Sequence, residues 1–187
     1  CLSSLWDKSF LQERGIASFF LTEKNTFENT PLFDGIFRYL LIQKGTAQIT
    51  ITGLEYFLKP SCLVVLAPEY YCQFTEIGSD FQGSLLLVDN SYLAPLPASD
   101  KMYRHITKVM LQQRQVNLLN QQQHRVVSES IHTIQEKLKL THHHLKHEII
   151  QNALVTFLLE LSNIWIENHW NLLDEPYQIR YEYILKR

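Results

Sequence analysis

At 187 residues, with 45% hydrophobic and 19% charged positions, the chain has the composition of an ordinary folded domain and the length to bury a core. Its formal net charge of −2 excludes the basic surplus with which a free-standing nucleic-acid binder neutralises phosphates. Three cysteines, Cys1, Cys62 and Cys72, stand without metal or redox spacing, which points to free thiols and a cytoplasmic, reducing compartment.

No apolar run approaches the ~18 residues of a membrane helix and no signal-peptide pattern opens the chain, so no membrane partner is expected. The chain starts at Cys1 rather than Met and stops inside a helical pattern, as a piece of a longer protein would.

Residues 1–13 carry weak signals and read as an arm. IASFFLT, from Ile16 to Thr22, is strand-like and puts Ala17, Phe19 and Leu21 on one face. From Phe33 to Val88, apolar bursts alternate with Gly, Pro, Asn, Asp or Ser clusters, the pattern of an all-β sandwich or barrel. Lys44-Gly45 reads as the turn of a hairpin over Ile36–Thr52. If Gln43 pairs with Thr46, Arg38, Leu40 and Ile42 share a face with Ala47, Ile49 and Ile51, and Tyr39 and Leu41 share the other with Gln48 and Thr50. The apolar face must point inward, taking Arg38 with it; a bulge at Gly45 would shift the register by one and turn Arg38 outward. Further strands are expected over 54–58, 62–66, 70–76 and 82–88, with Leu54, Tyr56 and Leu58 on one face, and Tyr70, Cys72 and Phe74 on another.

Past Val88 the period lengthens from 2 to 3.6 residues and the chain turns helical. A short turn is expected over 91–96, then a helix over Lys101–Met110 capped by Asp100. A longer helix comes next over Leu118–Leu140, and another from a Thr141 cap to about Trp170. The last carries two apolar stripes. Ile150, Leu154, Phe157, Leu161 and Ile164 follow His147 at coiled-coil spacing, and Gln151, Val155, Leu158, Ser162 and Trp165 lie beside them. The first stripe is the candidate dimer interface; the alternative is that both stripes are internal. Asp174-Glu175-Pro176 opens a final helix from Tyr177. The expected division is a barrel with its arm over 1–90, a helical dimerisation region over 91–170 and the start of a linker helix over 171–187.

The segments FRYLLIQKGTAQITITGLEYFLKPSCLVVLAPEYYCQF, SDFQGSLLLVDNSYL and KHEIIQNALVTFLLELSNIW occur in that order. Together, over roughly Phe33 to Trp170, they resemble the N-terminal half of an AraC-type bacterial transcription regulator. The resemblance implies a mainly β plus α fold, with a cupin-like antiparallel β-barrel (a double-stranded β-helix) followed by a helical hairpin. It also implies that the barrel senses a small molecule and that the helices form a homodimer. DNA would be bound only by a separate C-terminal pair of helix-turn-helix units, absent from this sequence.

A metal-dependent cupin enzyme would need histidines on its barrel strands. The first histidine is His105, beyond them, so no metal, cofactor or catalytic residue is expected. In THHHLKHE, His143 and His147 stand four residues apart with Glu148 following, but a third ligand is missing, and the cluster reads as the polar first turn of a helix. No nucleophile elbow and no glycine-rich phosphate loop is present.

What remains is a candidate pocket of Phe19, Arg38, Leu40, Ile49, Tyr56, Tyr70, Cys72 and Phe74, with aromatic walls, one cation and two hydroxyls. A buried Arg38 needs a protein carboxylate, a strand-end carbonyl, or an anionic or polyhydroxy ligand. The expected function is effector sensing and dimerisation for a transcription regulator, without catalysis, the effector being a sugar or small carboxylate. The alternatives are a small-molecule cupin enzyme and a purely structural dimerisation module with a filled barrel.

Overall fold

The computed structural model describes residues 15–25, 35–93 and 115–169, apart from the side chains of residues 91, 93 and 169. The expected arm, the helix over 101–110 with its Asp100 cap, and the final helix from Tyr177 lie outside the described residues. Seven strands come first: β1 (Ile16–Thr22), β2 (Ile36–Lys44), β3 (Ala47–Ile51), β4 (Leu54–Leu58), β5 (Cys62–Leu66), β6 (Cys72–Ile77) and β7 (Gln82–Asp89). A single turn α1 (Asn90–Leu93), a short β8 (Val116–Leu118) and two helices, α2 (Gln121–Leu138) and α3 (Lys146–His169), complete them.

The strands form two antiparallel sheets, one ordered β1-β7-β2-β5-β8 and the other β4-β3-β6. Leu40, Ile42, Val64, Leu85 and Leu87 of the first meet Ile49, Ile51, Leu58 and Cys72 of the second in one interior core. A second core lies on the other face of the five-stranded sheet, where Tyr39, Leu41, Val65 and Leu86 pack with Val127, Ile131 and Ile134 of α2 and with Leu154, Phe157 and Leu161 of α3. Two-sided burial explains why CLVVL in β5 and LLLV in β7 are unbroken apolar runs. AQITI in β3 has one wet face and alternates.

The expected hairpin over Ile36–Thr52 does not form. β2 pairs with β5 and β7 while β3 pairs with β4 and β6, so Gly45 is a corner between sheets rather than a hairpin turn. Gly45 has φ +70°, and a Cβ there would stand 2.7 Å from the Asp80 carbonyl carbon and the Phe81 Cα. The short turn seen in sequence is real, but the crossing Asp80–Phe81 backbone decides what it connects. The inward set survives the change of topology: Arg38, Leu40, Ile42, Ala47, Ile49 and Ile51 are all buried.

Two boundaries also move. Residues 116–118, expected to be loop and helix, pair with β5 through Cys62–Leu118 and Val64–Val116. The five-stranded sheet thus draws a strand from the region expected to be helical. Asn120 then caps α2 in a reciprocal capping box with Gln123. Thr141 is not the cap of the next helix; α3 begins at Lys146, after His142 with φ +58°.

The stripe assigned to a dimer seam is internal. Ile150, Leu154, Phe157, Leu161 and Ile164 are all buried within the chain, and Phe157 meets Tyr39 of β2 edge-on at 5.2 Å between ring centroids. Leu158, Ser162 and Trp165 of the second stripe are buried as well. An α-helix apolar on most sides covers a sheet and a neighbouring helix at once. The same apolarity makes α3 long and apolar enough, by length and composition, to cross a bilayer, although half of that stretch is buried inside the domain.

The corner predicts an unequal cost for two glycine substitutions. Gly45→Ala should lose about 3 kcal/mol from positive φ and overlap together. Gly53→Ala, at φ +84° with nothing within 4 Å of its added Cβ, should lose only about 1 kcal/mol. Urea unfolding measures both, and equal losses would show that the Asp80–Phe81 backbone simply moves aside.

Candidate functional site

The strand registers stack the barrel interior in layers. Phe19 is opposite Leu85, Leu85 opposite Leu40 and Leu40 opposite Val64 across the large sheet, while Ile49 stands between Tyr56 and Phe74 in the small one. The next layer holds Arg38 between Leu66 and Leu87, facing Ile51 and Cys72. The fold therefore brings all eight candidate pocket residues to the interior side. Arg38, Leu40, Ile49 and Cys72 are buried, and Phe19, Tyr56, Tyr70 and Phe74 are half-buried around them.

One interior residue escaped the sequence reading. Phe81 is fully buried and packs edge-on against Phe74 at 5.8 Å. Gly83 makes the room, since a Cβ there would stand 3.0 Å from Leu40 Cδ1 and 3.5 Å from Phe81 Cζ. The signal in the sequence is an aromatic residue between the Gly-Ser-Asp turn and the apolar run of β7.

Arg38 meets strand-end carbonyls. Its Nη2 donates to Ala67 O at 3.0 Å and to Tyr70 O, and its Nη1 lies 3.7 Å from Cys72 Sγ. Burial pulls the Arg38 pKa below its ordinary value, and nearby Cys72 and Glu69 push it back up. Among the roles open to it in sequence, Arg38 thus pins the turn from Ala67 to Tyr70 against β2. Burial pushes the Cys72 thiol up to about 11, with Arg38 opposing, so Cys72 is a neutral thiol near pH 7.

A second polar contact joins β4 to the start of β8. Tyr56 of β4 donates from its hydroxyl to Gln115 Oε1 at 3.4 Å, immediately before β8. Gln115 was also absent from the sequence reading, because nothing local marks it as a barrel residue. The histidines of THHHLKHE are exposed; His147 Nδ1 lies 3.5 Å from the Tyr92 hydroxyl, with the rings edge-on. Among the described residues no group of three or more His, Cys, Asp or Glu is placed to hold a metal ion.

The arrangement defines a class: a two-sheet antiparallel barrel of cupin-like type with a helical pair packed on its outer wall. Similar solved structures include ToxT from Vibrio cholerae bound to (E)-4-(8-methylnaphthalen-1-yl)but-3-enoic acid, with TM-score 0.51 and 13% identity over 80% of this chain and 56% of that one. The AraC-like transcriptional activator CuxR is similar with TM-score 0.44 and 13% identity, covering 86% of this chain and 59% of that one. Protein YlbA from E. coli shares a smaller part, with TM-score 0.31 and 16% identity over 40% of this chain and 31% of that one. The likeness to ToxT is one of fold, and the chain spans a little over half the length of that structure. No protein-family model and no curated protein matches the chain.

Two measurements check these roles. Arg38→Met should cost about 3 kcal/mol in urea unfolding, because the buried Ala67 and Tyr70 carbonyls lose their donor; a loss below about 1 kcal/mol would show that other donors replace it. The raised Cys72 pKa means that its stabilising share is complete below pH 9 and disappears as pH rises from 9 towards about 11. A Cys72→Ala variant should lack that part of the pH slope, and identical slopes would contradict the burial of the thiol.

Proposed function

We propose that this chain is the effector-sensing part of an AraC-type transcription regulator, cytoplasmic and without catalysis, with DNA contacted by a further domain. The carrying observation is that β2 serves both cores. Leu40 and Ile42 line the barrel interior, while Tyr39 and Leu41 on the same strand pack with the helices. A molecule that presses on the interior face of β2 therefore works against the strand that seats Phe157 of α3. The fold likeness to ToxT, solved with an arylbutenoic acid, supports the same reading.

The interior favours a carboxylic acid with an apolar body over a sugar. Phe19, Leu40, Ile49 and Phe74 offer apolar surface, and Arg38 already serves two protein carbonyls, which leaves few polar groups for a polyhydroxy ligand. Homodimerisation belongs to this reading but would use a surface other than the buried Ile150–Ile164 stripe. A second reading, a barrel that binds nothing, draws support from the burial of Arg38, Leu40, Ile49 and Phe81.

Thermal unfolding separates the two. The same arylbutenoic acid, or oleate, should raise the melting temperature, with ~2.7 kcal/mol of stabilisation at 100 times Kd, whereas a panel of monosaccharides should not. No shift with any acid would favour the filled barrel, and a shift with sugars alone would overturn the ligand class.

A further inference from the structure

Tyr56 packs against the barrel interior, and its hydroxyl bonds to Gln115 at the start of β8. Gln115 is tied to β5 by Val65 N–H donating to Gln115 O at 2.8 Å, and the end of β8 by Leu119 N–H donating to Ser61 O at 3.0 Å. One residue further on, Asn120 caps α2. Its side chain accepts from Gln123 N at 2.9 Å, and its own N–H donates to Gln123 Oε1 at 3.1 Å.

The Gln123 carboxamide is then used a second time. Its Nε2 donates to Glu167 Oε2 and to Asn168 Oδ1, each at 3.3 Å, near the C-terminal end of α3. Gln123 is buried, although a capping-box glutamine at the start of an exposed helix face would ordinarily sit in water. One side chain thus locks the first turn of α2 to the last turn of α3, and β8 ties that junction to the barrel wall.

We propose that the Tyr56–Gln115 contact is the point at which barrel occupancy is read, and that Gln123 is the positioning residue that passes the change to the end of α3. The regulatory meaning rests on the proposed sensing function; the mechanical coupling does not. At 3.4 Å the Tyr56–Gln115 bond is longer than a good O–H···O bond. A carboxylate ligand accepting from the Tyr56 hydroxyl would form the stronger, charge-assisted bond and take that hydroxyl from Gln115. Loss of that contact would weaken the anchoring of β8, and through it the α2 cap and the grip of Gln123 on Glu167 and Asn168.

Amide hydrogen exchange on the unliganded 187-residue chain tests the coupling separately from ligand binding. Tyr56→Phe removes one hydroxyl and should speed exchange about fivefold at Val65 and Leu119, and also at the amides of Glu167 and Asn168. Gln123→Glu keeps the capping acceptor but removes the donor to Glu167 and Asn168. It should speed the end of α3, leave Val65 and Leu119 unchanged, and abolish any further effect of Tyr56→Phe at the end of α3. If Tyr56→Phe speeds exchange everywhere, Gln115→Met provides the same cut from the other side of the bond. Acceleration confined to Val65 and Leu119 overturns the transmission step. Acceleration at α3 that persists undiminished beside Gln123→Glu overturns the role of Gln123. If the coupling holds while no acid stabilises the protein, the sensing reading fails and the coupling stands.

Discussion

The two-sided burial of β2, β5 and β7 is the constraint on which the structure depends. A sheet wet on one face needs only a lid; a sheet dry on both needs a second sheet on one side and helices on the other. The small β4-β3-β6 sheet supplies the first cover and the α2–α3 pair the second. Removing either would expose a row of Leu, Val and Tyr side chains to water, so the barrel wall and the helices share one core.

The shared strands give the barrel interior a mechanical output. Leu40 and Tyr39 are successive residues on β2, one facing Ile49 and Phe74, the other facing Phe157. Close packing transmits displacement because there is little empty volume to absorb it. The proposed Gln115–Gln123 route is of another kind, built from hydrogen bonds along β8 and reaching the C-terminal end of α3. The barrel thus meets its helices once through packing and, on the coupling proposed above, once through hydrogen bonds along β8.

Arg38 shows how far local pattern carries and where it stops. Period-two alternation placed it inside the barrel, and it is inside. Its partners were not legible, because Ala67 and Tyr70 are 29 and 32 residues away and act through backbone carbonyls, which every residue carries and no sequence distinguishes. Phe81, Gln115 and the role of β8 were missed for a related reason: a residue's place in a core depends on what crosses over it. The α3 stripes were legible as apolar but not as internal, since helical periodicity reports how much of a helix is dry and never what dries it.

Residue type, spacing and periodicity were enough to locate the strands from Ile16 to Val88, the inward and outward faces of most of them, and the mainly helical character of the described residues beyond Val88. All of these are local properties. Three others emerged only in the folded chain: Gly45 turns between sheets and not within a hairpin, the expected dimer seam covers the domain's own wall, and Tyr56 connects through Gln115 and Gln123 to the end of α3. Each depends on which distant backbone or side chain arrives within contact distance, and that is set by the closure of the whole fold.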